Sequence, residues 1–453
     1  MKMNSKRLKV HFFLLLTFMI IGNSFFVSES SALVYSNPST TPLWSYSTGT
    51  QFVSAVAISS EGSYITAICD NHESNINMPE NGKMYLFDNI FSNQKSPLWN
   101  YSITNSFFSV AISANGSNIV GGGGYSEEKV FIFNKANSTP QWIYSTGGNT
   151  YDVGITNDGS LTAAASGTSK NAFLLNNTES SLISGFPTMG LTIRVALSSN
   201  GRYMAVTDNY AKLYFFNTSN ISPEWDFTLS GDMSGSLSIS ADGNYIASGS
   251  DKVYLFRKNS SIPLWTYSTL DSVSSVKLSK DGNYIAVGGG YADHNIYLFN
   301  RSSPIPEWNY TTKEEITSVA ISNNGDYIAA QSADHFLYLF NRNNSIPIWR
   351  YRLDGIFASS NDYSLDMSID GKYIVVGGRH CIYLFDRDII KAPELIISGY
   401  NMFFMLSIIG LVLLISVITT FQYLKKKCKE TILIRIKNLW KMIFTCIWTN
   451  FTS

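Results

Sequence analysis

The sequence predicts an all-β protein, an eight-bladed β-propeller, followed by one C-terminal transmembrane helix. Three observations predict it. A phrase of the form S-x-D-G-x-Y-I-A recurs at a period near 43 residues, as in "SKDGNYIAVGGG" (279–290), "SADGNYIASGS" and "SIDGKYIVVGG". Each copy carries four short apolar runs separated by Asn, Asp, Gly, Ser and Pro. Seven Trp fall in one slot of the repeat, at Trp44, Trp99, Trp142, Trp225, Trp265, Trp308 and Trp349. A four-stranded unit of this length, repeated, signals a propeller.

The elements follow in chain order. Residues 1–32 combine a basic start (Lys2, Lys6, Arg7, Lys9), the apolar run "VHFFLLLTFMIIG" and the small, polar "SESSA". That order suits a secretory signal peptide cleaved after Ala32, with an uncleaved anchor as the alternative. Residues 40–388 hold the repeats. In each, a run such as "SVAIS" precedes the turn, "YIAVGG" follows it, then a run such as "IYLFN", then "P-x-W-x-Y". The runs are β-branched or aromatic and bounded by turn residues, so they read as strands. Glycine recurs in the first turn at 62, 116, 159, 201, 243, 282, 325 and 371. Asp-Gly and Asn-Gly favour a tight hairpin there, because Gly takes positive φ without a Cβ clash. The runs are apolar on both faces, so each small sheet needs cover on both sides. Radial stacking supplies it, and ring closure protects the end blades.

Eight copies of each strand are present. The copy near Phe186 lacks the Trp, and a seven-bladed count stays open if that copy is not a blade. The chain starts with a Trp run (44–48) and ends with "CIYLFD" (381–386), so the first strand is expected on the outside of the last blade, closing the ring.

The "S-x-D-G-x-Y-I-A" and "x-Y-L-F-N" phrases resemble WD40-type repeats, although no Trp-Asp dipeptide ends a blade. The "P-L-W-S-Y-S-T-G" phrase (42–49) is similar to the docking-Trp segment of quinoprotein-like (PQQ-like) repeats. The resemblance covers about residues 40–388 and implies a propeller. Quinone enzymes of that resemblance use an adjacent Cys pair, which this chain lacks, and no cofactor is expected.

Residues 389–401 form a short tether. "MFFMLSIIGLVLLISVITTFQYL" (402–424) carries no charge and is long enough to span a bilayer. "KKKCK" follows, which places residues 425–453 in the cytoplasm and the propeller outside a cell membrane, as a single-pass protein. The tail has Ile436, Leu439, Trp440, Ile443, Phe444 and Ile447 at helical spacing, as an interfacial helix does. The chain has no net charge, but the basic ends leave 22 basic against 32 acidic residues between them. A net of −10 repels polyanions, so nucleic acid is not an expected partner.

No H-E-x-x-H, G-x-S-x-G or C-x-x-C is present, and "GGGGYSEEK" (121–129) lacks the Gly-Lys-Ser/Thr ending of a phosphate loop. Four histidines lie outside the ends: His72, His294, His335 and His380. Each follows a "YIAVGG"-type run. Glu73, Asp293 and Asp334 adjoin three of them. Such pairs suit a transition metal or a pH sensor, and equally a structural turn. Ten N-x-S/T sequons stand at Asn100, Asn115, Asn137, Asn176, Asn217, Asn220, Asn259, Asn300, Asn309 and Asn343. Eight map to loops of the face opposite the histidines, and Asn100 and Asn309 to outer strands. A sequon-free face is a candidate contact surface, since sugar is bulky and hydrophilic. The expected function is therefore a membrane-anchored binding or scaffold module for a protein or glycan. The alternative is a metal-binding or enzymatic propeller using the histidine loops.

Overall fold

The computed structural model describes residues 40–70, 82–91, 95–125, 127–231, 236–355, 364–389 and 437–441. Among these, 32 strands form eight four-stranded antiparallel sheets. Each sheet runs a-b-c-d from the axis outwards. In blade 1 these are Phe52–Ile58, Tyr64–Asp70, Lys83–Asp88 and Trp99–Ser102. Blades 2 to 7 open with Phe107–Ile112, Thr150–Ile155, Thr192–Leu197, Ser236–Ile239, Val273–Leu278 and Ile316–Ile321. Blade 8 has Leu365–Met367, Tyr373–Gly377 and Cys381–Asp386, and takes its outer strand from the front of the chain. Trp44–Ser47 pairs antiparallel with Cys381–Asp386, Trp44 opposite Leu384. Thr40 also hydrogen-bonds the Ile389 carbonyl, so the two ends of the ring leave it side by side.

The recurring phrase acts twice, inside its own turn and against the blade before. In blade 6, Ser279 Oγ accepts from the Tyr284 N–H at 3.0 Å and donates to Asp281 at 2.6 Å. The Asp281 carboxylate caps the Asn283 N–H, and the Gly282 N–H closes the turn on Ser279. Gly282 sits at φ 69°, where a side chain is disfavoured. The glycine then meets the tyrosine of the preceding blade: a Cβ at Gly325 would lie 2.5 Å from the Tyr284 ring.

Two further residue types tie blade to blade. In blades 2, 5, 6, 7 and 8 a basic residue follows strand c and stacks on the same tyrosine, as Arg342 does over Tyr284 at 4.6 Å and Arg387 over Tyr327 at 4.0 Å. Such a contact is worth roughly 0.5–1 kcal/mol at an exposed site. The Trp of strand d donates its indole N–H to the carbonyl of that basic residue: Trp265 to Arg301 at 2.8 Å, Trp349 to Arg387 at 3.0 Å. Around the axis, the residue after each turn serine donates to the next turn's carbonyl. The circuit runs through Ser60, Ala114, Asn157, Ser199 and Ala241 to Lys280, resumes from Asp281 to Asn323 and Ile369, and returns to Ser60, at 2.8–3.3 Å. The serine of "SVAI" adds a second set, with Ser236 Oγ accepting the Val276 N–H and Ser275 Oγ the Val319 N–H. Apolar residues from adjacent blades fill the space between sheets.

All eight sheets are complete, so the copy near Phe186 is a blade. Its register differs from expectation. Phe186 pairs with Ala172, the place of the Tyr in W-x-Y elsewhere, while Ser184 stands opposite Leu174 where the Trp would be. A register shift between Leu174 and Leu175 accompanies the change.

Residues Asn37–Pro393 make one compact unit. The expected segments 1–32 and 402–424 lie outside the described residues. Among the described residues no helix is long and apolar enough to cross a membrane. Of the expected tail helix, residues 437–441 are helical, and Leu439 is exposed.

Candidate functional site

The a–b and c–d turns lie on one face of the ring, the b–c loops and blade-to-blade crossings on the other. Eight sequon asparagines (Asn115, Asn137, Asn176, Asn217, Asn220, Asn259, Asn300, Asn343) sit on or beside the first set of turns, and Asn100 and Asn309 lie in outer strands. The histidine loops occupy the opposite face.

His72 and Glu73 lie outside the described residues. The other pairs are engaged within their own loops. Asp293 is buried and accepts from the Tyr297 hydroxyl at 2.8 Å and from Asn295. Asp334 accepts from the Tyr338 hydroxyl at 2.6 Å and the Phe336 N–H at 3.0 Å. Burial, then the bond to aspartate, pushes both tyrosine hydroxyls well above their ordinary range. His294 and His335 follow with left-handed backbones, at φ 56° and 69°. The His294 ring nitrogen meets the Tyr291 carbonyl at 2.6 Å. His380 gives its N–H to Asp354 and rests 4.9 Å from the Phe52 ring. No group of three His, Cys, Asp or Glu able to hold a metal occurs among the described residues. The spacing D-H-x-x-Y, shared by 293–297 and 334–338, is the sequence signal for this loop tie. Blade 4 builds the same tie from Asp208 and Tyr214, 3.0 Å apart.

The same face carries an aromatic ledge over blades 2 to 4, where the repeat departs most from its pattern. Phe108 stacks on Tyr151 at 5.6 Å with a 3° interplanar angle, and Tyr125 meets Phe108 edge-on at 5.2 Å. Tyr125, Met189 and Tyr210 are 45%, 66% and 63% exposed. Glycines make room for the rings: a Cβ at Gly124 would lie 2.1 Å from Phe108, and one at Gly167 2.4 Å from Tyr151. This is the work of the "GGGGY" stretch, whose first three glycines end strand b of blade 2. In the same sector Asn118 and Leu161 replace the tyrosine of the repeat, and strand d of blade 3 has no Trp. Asp152 replaces the "SVAI" serine and holds the Val195 N–H at 3.0 Å while accepting from Ser109. Motif reading missed the ledge because its members come from different strands and loops and share no spacing.

The family model "WD domain, G-beta repeat" matches residues 262–300 and 306–341, so these two segments are WD40 repeats. Each match begins in or just before a Trp strand and ends with strand c of the following blade. No curated protein matches the chain. Among solved structures, Sqt1 from Chaetomium thermophilum is similar at a TM-score of 0.64 and 14% identity, over 77% of this chain and 98% of that one. A second Sqt1 structure, bound to the N-terminus of the ribosomal protein L10, is similar at a TM-score of 0.63 and 13% identity, over 77% and 100%. Likeness at this identity shows the shared propeller fold. The expected single-pass placement in a cell membrane is corrected by these findings. The similar structures are of Sqt1, one holding a ribosomal-protein segment, and no described helix is able to cross a membrane. Apolar character and flanking charge alone had suggested the span.

Proposed function

We propose that this WD40-repeat propeller is a protein-binding scaffold that takes an extended partner segment on its b–c face, across blades 2 to 4. The observation that carries the reading is the stacked ledge of Phe108, Tyr151 and Tyr125, flanked by exposed Met189 and Tyr210. Rigid aromatic rings give large contact area at little entropic cost, and they are enriched where partners bind. The repeat departs most from its consensus in blades 2 to 4, the sector over which this surface stands. A structurally similar propeller binds a protein N-terminus, which fits a segment rather than a globular face as the ligand.

The test is a peptide array probed with the full-length protein, followed by affinity measurement on the peptides retained. The double variant Tyr125→Ala/Tyr151→Ala should weaken binding by about ten-fold or more, the loss of one hot spot. Ile262→Ser/Ile305→Ser, on the opposite face, should leave it unchanged. Binding that survives the first variant and is lost in the second overturns the reading.

A further inference from the structure

Where blades 5 and 6 meet, on the face of the a–b and c–d turns, two guanidiniums share one ring. Arg301, after strand c of blade 6, stands 4.6 Å from the centre of the Tyr245 ring. Arg257, the last residue of strand c in blade 5, stands 6.0 Å from the same centre and pairs with Tyr245 across the ladder. Lys258 follows and stacks on Tyr203 at 4.9 Å. Tyr64, Tyr203, Tyr284 and Tyr327 carry one cation each.

Arg257 breaks the repeat. Every other blade ends strand c with Asn or Asp, whose side-chain oxygen accepts the N–H two residues on, at 2.9–3.2 Å. Asn300 does so in blade 6 and Asn341 in blade 7. Such a bond is what Asn and Asp bring to a turn. Blade 5 gives it up and gains a cation. Arg257 is exposed, and Arg301 already covers the tyrosine, so blade packing does not ask for the second guanidinium.

No acid answers the pair. In blade 7 the corresponding Arg342 pairs with Asp326 at 3.0 Å, and in blade 8 Arg387 pairs with Asp388 at 2.9 Å. Asn283 takes the place of Asp326 in blade 6, and Asn244 in blade 5. Asp281 accepts from its own turn, from the Ser279 hydroxyl at 2.6 Å and from the Asn283 N–H and amide at 3.0 and 2.6 Å. Among the described residues Arg257 and Arg301 make no ion pair and no side-chain hydrogen bond. Two adjacent forks of N–H donors are therefore left for solvent or a ligand.

We infer that the junction of blades 5 and 6 is a phosphate site, taking one phosphate group between Arg257 and Arg301 with Lys258 beside them. A guanidinium presents a planar fork of donors that matches two oxygens. One fork fills both oxygens of a carboxylate, whereas a phosphate has oxygens left for the second. The charge of a phosphate monoester, about −1.5 to −2 at neutral pH, also answers two cations. The site lies on the face opposite the aromatic ledge, so it does not depend on the proposed segment site.

The experiment is isothermal titration calorimetry of the full-length protein at neutral pH and constant ionic strength, with inorganic phosphate, with N-acetyl-O-phosphoserine amide and with acetate. Saturable binding of at least one phosphate probe is expected, with acetate weaker by about ten-fold or more, because it engages one fork only. Phosphoserine binding the tighter identifies a phosphorylated chain, and inorganic phosphate binding the tighter a free anion. Arg257→Asn installs the residue that most blades carry there, so the fold should accept it. It should lower phosphate affinity by about ten-fold or more, the loss of charge-assisted bonds, while the Tm without ligand stays or rises as the turn regains its cap. Arg301→Lys installs the residue of blades 2 and 5, keeps the charge and loses the fork, so it should lower affinity by a smaller factor. The absence of saturable binding with both phosphate probes overturns the site. Binding unchanged in Arg257→Asn overturns it as well, as does acetate binding as tightly as phosphate.

Discussion

At Gly325, two demands coincide in one residue. Its φ is +74°, and a Cβ would lie 2.5 Å from the Tyr284 ring of the neighbouring blade. At Gly49, φ is +75° with nothing within 4 Å of the same added atom. The pair separates conformational strain from collision. Gly49→Ala should cost about 1 kcal/mol, the price of a left-handed backbone with a side chain. Gly325→Ala should cost about 2–4 kcal/mol, since the ring must also move within a packed interface. Urea denaturation of both variants measures the difference, and equal losses would show that the Tyr284 ring yields freely. The first demand was legible in the sequence, because Asp-Gly between two apolar runs asks for positive φ. The second was not. The tyrosine that Gly325 meets lies about one repeat earlier in the chain, and nothing within one copy says which neighbour will cover it.

At the scale of the strand, the seven Trp were legible as one class by their shared slot, yet they are not equivalent. Trp265 gives its indole N–H to the Arg301 carbonyl, whereas the Trp44 N–H is buried without a partner. Trp44 belongs to the strand that closes the ring and faces blade 1, which has Asn89 where blade 6 carries Arg301 and blade 8 Arg387. Both rings are comparably buried. Trp→Phe at each site removes the same volume, so the difference isolates the hydrogen bond. Trp265→Phe should be more destabilising than Trp44→Phe by about 1–2 kcal/mol, because only the first leaves a carbonyl without its donor. Thermal unfolding of the two variants side by side checks this, and an equal loss would show that packing alone decides. The outer strand of blade 3 was the least legible element. Phe186 was expected near the Trp slot, but it stands at the Tyr slot opposite Ala172, and Ser184 holds the Trp slot opposite Leu174. Residue type misled there, whereas the interval from Leu298 to Trp308 also separates Leu174 from Ser184. The histidine loops show a similar case. Their chemistry stood out by residue type, while the signal that explains the aspartates was the tyrosine four positions on.

The whole ring depends on a strand contributed from outside the repeat order. Blade 8 has three strands of its own, and Trp44–Ser47 supplies the fourth. Deleting residues 40–48 should bare the edge of Cys381–Asp386 and uncover the core around Phe87 and Leu384. Loss of a single sharp thermal transition, together with self-association seen by sedimentation, is the expected outcome, since an open strand edge recruits another chain. A monomeric variant that melts at the wild-type temperature would show that the ring holds without its clasp. This closure was legible from the run that begins the repeats and the run that ends them. The surfaces were less so, because a propeller presents loops from different blades side by side, and only the closed ring shows which of them meet.

The clasp also sets a timetable for the protein's birth. Trp44 is among the first residues of the ring to leave the ribosome, and its partner Leu384 follows about 340 residues later. Seven blades have all four strands before the eighth can, so the earliest strand waits longest. Closing so long a loop adds little to the equilibrium cost, which grows only with the logarithm of length. It weighs on speed instead, because distant pairings form late. Until that last pairing forms, the nascent chain carries one bare strand and one bare edge. A second nascent chain nearby offers the matching halves, which makes strand exchange between newly made copies the characteristic error of this architecture.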